Sequence, residues 1–457
     1  MLLYNTLTRN IEELRPINPP EVTVYTCGPT VYDYPHIGNW FTFVRYDILI
    51  RVIMASGFRP KWVMNITDVG HLSSDADYGE DKLAKGARRE GKSAWQIADF
   101  YSNYFLDRLA KLNFINPWQT PRATAHIDDQ IEFIKILEQK GFTYRIDDGI
   151  YYETSKFPSY SDFARLDLDE QQPGVRIDFN QQKHRPSDFA LWKFSSPSTP
   201  RDMEWDSPWG KGFPGWHIEC STMCYKYLGD TIDIHSGGID HIPVHHTNEI
   251  AQSEARTQHP LANIWLHTNH ILINDQKISK SLGNGLTLED LEAKGYSPEV
   301  FRLLVAESHY RTQSKFSWEH LEATKKRLLR YHNFAVRRFQ TTGKKTLGTP
   351  DILRYLQNDL NSPKALSVFE EFLDQAEKTS PSKISIESSI SLMDELLGLN
   401  LQDVKDISIT QKHLIRERER ARDENDWPKA DGIRQMLEVS NITILDTPDG
   451  PVWQYIT

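Results

Sequence analysis

The chain has 457 residues, 39% hydrophobic and 25% charged, with a formal net charge of −10. That length predicts about two to four domains with sizeable cores, and the charge argues against non-specific coating of nucleic acid while leaving room for a local basic patch. Met1 to Arg15 carry no apolar core of signal-peptide length, and no run nears the roughly 18 apolar residues of a membrane helix, so a cytoplasmic protein is expected, without membrane or DNA partners.

In chain order, Val22 to Thr26 alternates apolar and polar residues and predicts a strand, ended by Gly28-Pro29. Trp40 to Ala55 carries Phe43, Tyr46, Asp47, Ile50 and Ile53 at helical spacing. Between them lies a loop with His36, Gly38 and Asn39. Such a strand-to-helix turn cradles phosphate, because free N–H groups and the positive end of the helix dipole face the anion. An ordinary turn with an incidental histidine would read the same way. Lys61 to Asp68 is a second strand, and strand, helix and strand begin a parallel doubly wound sheet. Ligands gather at the carboxyl ends of such strands, which places Cys27, Gly28, Thr67 and Asp68 there.

Gly70 to Gly91 reads as loop and helix start, and Ser93 to Leu112 as an amphipathic helix. From 113 to 215 the texture changes: a helix (Ala125 to Lys140), a short strand pair around Gly149 to Tyr152, then a run rich in Pro, Ser and Asp. This is an insertion between two halves of the sheet domain. Trp216 to Cys220 resumes the dense chemistry. Thr231 to Asp240 is a strand entering a glycine turn, after which an aspartate often meets ribose hydroxyls. His245 to Ala255 is a helix, and a strand near Ile271 leads to the loop Lys277 to Gly285. Two lysines and two glycines let that loop move and bring ammonium groups to phosphates. A solvated surface loop is the plainer alternative.

From Phe316 the chain is helical to about Asn400. Lys325 to Lys345 holds eight Lys and Arg and no acid, with Tyr331, Phe334 and Phe339 among them. Basic faces with aromatics suit RNA, where phosphates position and exposed bases stack; a solvated helix face is the alternative. The tail has two helices (Gln411 to Asn425, Lys429 to Glu438) and a β-like end at Asn441 to Leu445.

The three cysteines, Cys27, Cys220 and Cys224, are too few for a disulfide framework and point to free thiols, metal ligands or chemistry. Zinc takes Cys, His and carboxylate ligands, and His245 and Glu249 have helical i, i+4 spacing. Cys27 at a strand end and Cys220 at the start of the second half complete a candidate set. Taken singly, each residue is as readily structural, and the cysteine spacing fits no zinc-finger pattern, so only the fold can bring these residues together.

Residues 36–39 (His-Ile-Gly-Asn) and 277–281 (Lys-Ile-Ser-Lys-Ser) resemble the HIGH and KMSKS signatures of class I aminoacyl-tRNA synthetases. Tyr25 to Asp33, Asn65 to Asp68, Pro121 to Thr124, Asp188 to Lys193, Pro214 to Cys220, His245 to Glu249, Asp426-Trp427, Ala430-Asp431, Asp446 to Pro448, Gly450 and Trp453 narrow the resemblance to cysteinyl-tRNA synthetases, nearly end to end. It implies an α/β fold: a split doubly wound parallel sheet (1–112 and 216–315) with an α+β insertion (113–215). A helical tRNA-binding bundle (316–400) and a small anticodon-recognition domain (401–457) would follow. It implies a ligase that uses ATP, with Mg2+, to make cysteinyl-adenylate and charge tRNA(Cys). One zinc per chain would sit on Cys27, Cys220, His245 and Glu249. Gly28, Thr67 and Trp216 would line the cysteine pocket. His36, Gly38 and Asn39 would face ATP, Asp240 its ribose, and Lys277 and Lys280 its phosphates. Asn39 replaces the second signature histidine, Ile278 replaces methionine, and the text around His71 departs from the family pattern. Two rivals remain. A mycothiol-pathway ligase shares the sheet, zinc site and adenylate but lacks the tail from Asp426 to Trp453. A catalytically dead RNA-binding paralogue predicts damage at His36, Lys280 or the zinc quartet, and these residues are intact.

Overall fold

Glu21–Thr26 is the strand from which the sheet grows to both sides. On one side it pairs in parallel with Arg59–Met64, Thr26 opposite Met64. On the other it pairs in parallel with Ile232–Gly238, Thr26 opposite Ser236, and that strand pairs in parallel with Ala262–Thr268. The chain thus leaves its first strand in one direction and returns on the other flank. This is a topological switch point, and the crevice beyond the carboxyl ends of Glu21–Thr26 and Ile232–Gly238 is where such sheets take ligands. Helix Ile37–Ala55 crosses between the first two strands and is buried over most of its length, from Trp40 through Ile53, with buried Asp47 accepting from Arg51 Nε at 2.7 Å.

The computed structural model describes residues 1–70, 81–166, 180–196, 201–273, 276–278, 285–341, 343, 345–447 and 450–456, with the side chains of Lys82 and Lys277 left aside. They form two compact units. The first comprises 1–288, 310–315 and 357–360 and contains the parallel sheet. Between its halves stands an antiparallel sheet in the order Thr143–Ile146, Gly149–Tyr152, Phe189–Phe194, Gly212–Pro214. Asp68 anchors the entry to that insertion: it is buried and accepts from Arg122 Nε at 2.7 Å and from the Thr124 N–H at 2.8 Å.

Two features go beyond the sequence reading, and a third, Lys82–Glu90, gives the helix start expected between Gly70 and Gly91 its bounds. Leu2–Asn5 and Asn10–Glu13 form a hairpin that locks the last parallel strand, with Asn5 Oδ1 accepting the Trp265 N–H at 3.0 Å. Ala262–Thr268 is a strand of its own, buried along most of its length; a strand covered on both faces loses the alternation by which sequence reveals it. Lys82–Glu90 is a helix, capped by Asp81 accepting the Leu83 and Ala84 N–H groups.

The second unit comprises 289–309, 316–356 and 361–457. Helices Pro298–Ala306, Trp318–Val336, Ser362–Thr379 and Lys383–Leu397 precede a smaller module of Ile409–Asp423, Trp427–Val439 and the hairpin Ile442–Thr447 with Gly450–Tyr455. Tyr331 and Phe334 are buried against Phe369 and Phe372. Arg330 pairs with Glu370, Asp374 and Glu377, and Arg338 donates to the carbonyls of Gln402 and Val404. Tyr331 and Phe334 are therefore core residues unable to stack on bases, and Arg330 is matched by acids across the helix interface. Among the described residues no helix is long and apolar enough to cross a membrane.

Candidate functional site

Four of the expected residues converge. Cys27 follows the first strand, its N–H donating to Ser236 O at 3.1 Å. Cys220 lies in helix Trp216–Leu228. His245 lies in a π-turn, Ile242–His246, that runs into helix Thr247–Thr257, which carries Glu249. Single π-turns inside helical segments often mark functional sites. One ligand atom from each of Cys27, Cys220, His245 and Glu249 lies within 4.8 Å of the others, and all four residues are buried. Cys224, one turn on from Cys220, is buried and outside this group.

The donor set suits zinc: two sulfurs, an imidazole and a carboxylate. Its electrostatics call for a cation. Cys220 is pushed down to about 6, first by its hydrogen bond with Cys27, while burial pushes the Cys27 thiol up. Burial opposes charge on His245, yet Glu249 and Cys220 raise it to about 10. Buried anionic donors thus draw positive charge to their centre, as metal ligands do.

A layer of histidines that the sequence reading did not single out holds these donors. Glu249 Oε1 lies 2.8 Å from His245 Nε2 and Oε2 lies 2.9 Å from His235 Nε2. His217 Nδ1 meets His245 Nδ1 at 3.0 Å. Cys27 Sγ lies 3.3 Å from His246 Nε2; His246 Nδ1 meets His267 Nε2 at 2.7 Å, and His267 Nδ1 meets Thr6 Oγ1 at 2.8 Å. Burial first, then neighbouring histidines, holds His246 and His267 neutral. Outer partners of this kind orient metal ligands and fix their tautomers. Two further overlapping groups, Cys27-His241-His246 and His235-His246-Glu249, are close enough to share an ion. The available signal was position: His267 sits toward the carboxyl end of its parallel strand, opposite Gly237, and His235 at the middle of the neighbouring one.

The described ones among the remaining expected residues lie in the same compact unit as this cluster. Trp216 has its ring 4.6 Å from that of His245. Thr67 is buried, accepts from Asn65 Nδ2 at 3.0 Å, and its N–H donates to Pro29 O at 3.0 Å. Gly28 donates to Asn65 Oδ1 at 2.9 Å, and a Cβ there would lie 1.7 Å from Asn65 O, so glycine is required. His36 caps helix Ile37–Ala55: its Nδ1 accepts the Asn39 N–H at 3.2 Å, while Asn39 Oδ1 accepts the His36 N–H at 3.1 Å. A neutral imidazole accepting at Nδ1 carries its hydrogen on Nε2. The two signature segments meet: a Cβ on Gly38 would stand 3.3 Å from Ile278 Cδ1, and the Ile37 N–H donates to Leu286 O at 2.7 Å. Asp240 follows strand Ile232–Gly238 in a 3-10 turn and pairs with His270 at 2.9 Å. Lys280 and His71 lie outside the described residues, as does the Lys277 side chain.

Residues 13–326 match the family described as tRNA synthetases class I (C) catalytic domain. The chain is 42% identical to Cysteine--tRNA ligase 1 of Burkholderia lata, covering 98% of this chain and 96% of that one. It is 39% identical to Cysteine--tRNA ligase of Treponema denticola, covering 99% of each. Among solved structures, Mycobacterium tuberculosis methionyl-tRNA synthetase in complex with methionyl-adenylate aligns with a TM-score of 0.61 at 14% identity, covering 84% of this chain and 93% of that one. That likeness is one of fold.

Proposed function

This chain belongs to the class I family of cysteine–tRNA ligases, and we propose that it activates L-cysteine with ATP, taken with Mg2+, and charges tRNA(Cys) in the cytoplasm. The observation that carries this reading is the convergence of Cys27, Cys220, His245 and Glu249 at the switch point, in the same unit as the contact between the two signature segments. These four residues would hold one zinc ion. When bound, that ion offers a substrate thiolate a soft partner that serine's hydroxyl cannot match, so selection needs no separate editing site.

The other roles fall to the chain's own groups. Gly28, Thr67 and Trp216 border the amino-acid pocket. The carboxylate of cysteine attacks the α-phosphorus of ATP in line and diphosphate leaves, a reaction driven by positioning and charge stabilisation. His36 offers Nε2–H to a phosphate oxygen, with Gly38 and Asn39 shaping the helix start beneath it. Lys277 and Lys280 oppose the charge that builds on the phosphates, and Asp240 takes the ribose hydroxyls. A hydroxyl of the terminal tRNA ribose then attacks the adenylate carbonyl, and AMP leaves. Residues 316–400 would bind tRNA through exposed cations such as Lys326, and 401–457 would read the anticodon.

ATP–pyrophosphate exchange with cysteine and with serine, followed by charging of bulk tRNA, tests the proposal. Exchange with cysteine alone and one cysteine-accepting tRNA are expected. Equal exchange with serine, or activation without tRNA charging, overturns it.

A further inference from the structure

We propose that Arg201 is a positioning residue for the amino-acid pocket, tying the segment that carries Thr67 to the strand that leads into Trp216. The inference rests on the assignment of Thr67 and Trp216 above. Arg201 Nη2 donates to the Gly70 carbonyl and forms an ion pair with Asp81 Oδ2 at 2.7 Å. Its guanidinium carbon stands 3.5 Å from the centroid of the Phe213 ring. The ion pair is enclosed: the side chains of Arg201 and Asp81 are 9% and 10% exposed. A guanidinium is planar and always charged, so a carboxylate, a carbonyl and a ring together hold it in one orientation.

Both ends of this clasp run into the pocket. Gly70 lies three residues past Thr67, whose carbonyl accepts the Val31 N–H at 3.1 Å. Phe213 lies in the strand Gly212–Pro214, three residues before Trp216, which opens the helix that carries Cys220. The chain beside Arg201 is anchored to the same two walls. Trp205 and Gly212 exchange two backbone hydrogen bonds, at 2.7 and 2.9 Å. Met203 is buried in one apolar cluster with Val31 and with Ile66, the residue before Thr67. Asp81 is fixed as well. Its Oδ1 accepts the Leu83 and Ala84 N–H groups at 2.8 and 3.1 Å, and a Cβ on Gly70 would collide with its carboxylate, which therefore packs directly on the Gly70 backbone. The spacing of the Thr67 and Trp216 segments sets the width of the pocket, and Arg201 is attached to both. Such preorganisation lowers the ordering cost of binding. ATP is assigned to the turn at His36 and to Asp240, on other segments, so Arg201 acts on capture of the amino acid.

The test is pyrophosphate exchange by the full chain, with KM measured separately for cysteine and for ATP and with zinc content and melting followed for each variant. Arg201→Met keeps the apolar body of the side chain and removes its charge. Asp81→Asn keeps an acceptor for the helix cap and removes the partner charge. Arg201→Met should raise KM for cysteine about tenfold, as expected for a lost charge-assisted bond, and leave KM for ATP and zinc content unchanged. Asp81→Asn should raise the same constant by about threefold or more. Thr67→Val and Trp216→Leu test the pocket itself. If neither raises KM for cysteine by more than about twofold, the pocket assignment fails and the inference with it. If they do raise it, while Arg201→Met or Asp81→Asn leaves it within about twofold, the inference alone falls. It falls equally if Arg201→Met raises KM for ATP by the same factor, lowers only kcat, or sheds zinc, since each marks a general loosening of the fold. Should Arg201→Met fail to fold, Asp81→Asn is read in its place by the same criteria.

Discussion

Gly28→Ala should disable the enzyme although it adds one methyl group to a residue that bears no chemistry. The added Cβ would lie 1.7 Å from Asn65 O and 2.9 Å from Asn65 C, and both are backbone atoms that cannot rotate away. To reach even 3.0 Å, the segments after the first and second parallel strands must part by at least 1.3 Å. Overpacking of this kind costs about 1–3 kcal/mol. The displaced Gly28 N–H would also loosen its 2.9 Å bond to Asn65 Oδ1, a loss of about 1 kcal/mol. The functional loss should be larger, because Cys27 precedes Gly28 and its neighbours Pro29 and Thr67 are bonded backbone to backbone at 3.0 Å. A misplacement near 1 Å costs roughly 10²-fold in rate. The assay is metal content, thermal unfolding and pyrophosphate exchange on one preparation. A variant with unchanged melting and exchange within about threefold of the parent, roughly 0.7 kcal/mol, would refute the reasoning.

Cys220→Ser should lose most bound metal, and Cys224→Ser should keep it, because Cys220 is in the four-donor group and Cys224 is not; elemental analysis decides, and the reverse pattern would sink the quartet. Asn39→Ala removes the acceptor for the His36 N–H and should cost about 1 kcal/mol, the usual worth of a helix cap, measured by denaturant unfolding. Lys280→Ala should lower pyrophosphate exchange by at least about tenfold with melting unchanged; near-parental exchange would remove it from the mechanism. Asp446 is held below its ordinary value of 3.8, first by the hydrogen bond from Arg418. A depressed carboxylate stabilises the fold above its unfolded-state pKa, and that stability is lost as pH falls through the folded-state value. Asp446→Asn should therefore flatten the acid limb of a stability–pH curve without changing stability's dependence on pH near neutrality.

The parallel strands and their helices were legible because each has its own local signal: β-branched alternation in Glu21–Thr26, and dense apolar residues in Ile37–Ala55. The metal donors were legible only as types of residue. Cys27 and Cys220 are 193 positions apart, and what joins them is the register that sets Thr26 beside Ser236, with the Cys27 N–H bonded to Ser236 O. No spacing rule encodes that. The histidine layer failed to register for the same reason. His235 pairs with Glu249 and His246 with His267 through the fold, and each histidine alone reads as a residue on an apolar strand or in a turn. In the basic stretch, Tyr331 and Phe334 supply an RNA-like composition, yet their spacing of three residues also puts them on one helix face, and that face is core.

The departure at Asn39 gains a physical reason from the helix it begins. The first turn of a helix leaves N–H groups without intrahelical partners. Here residue 39 is the third helical position, where a short acceptor can reach back to the cap backbone. Asn39 Oδ1 does so, accepting from the His36 N–H, while its own N–H holds His36 Nδ1. The side chain that differs from the signature thus fixes the backbone of the residue that conforms to it, and the backbone of residue 39 fixes that residue's ring. Both bonds act on His36, and together they leave Nε2 as the hydrogen-bearing nitrogen. The amide at position 39 serves the site through the orientation of its neighbour, so replacing Asn39 should disturb stability before chemistry, and replacing His36 the reverse.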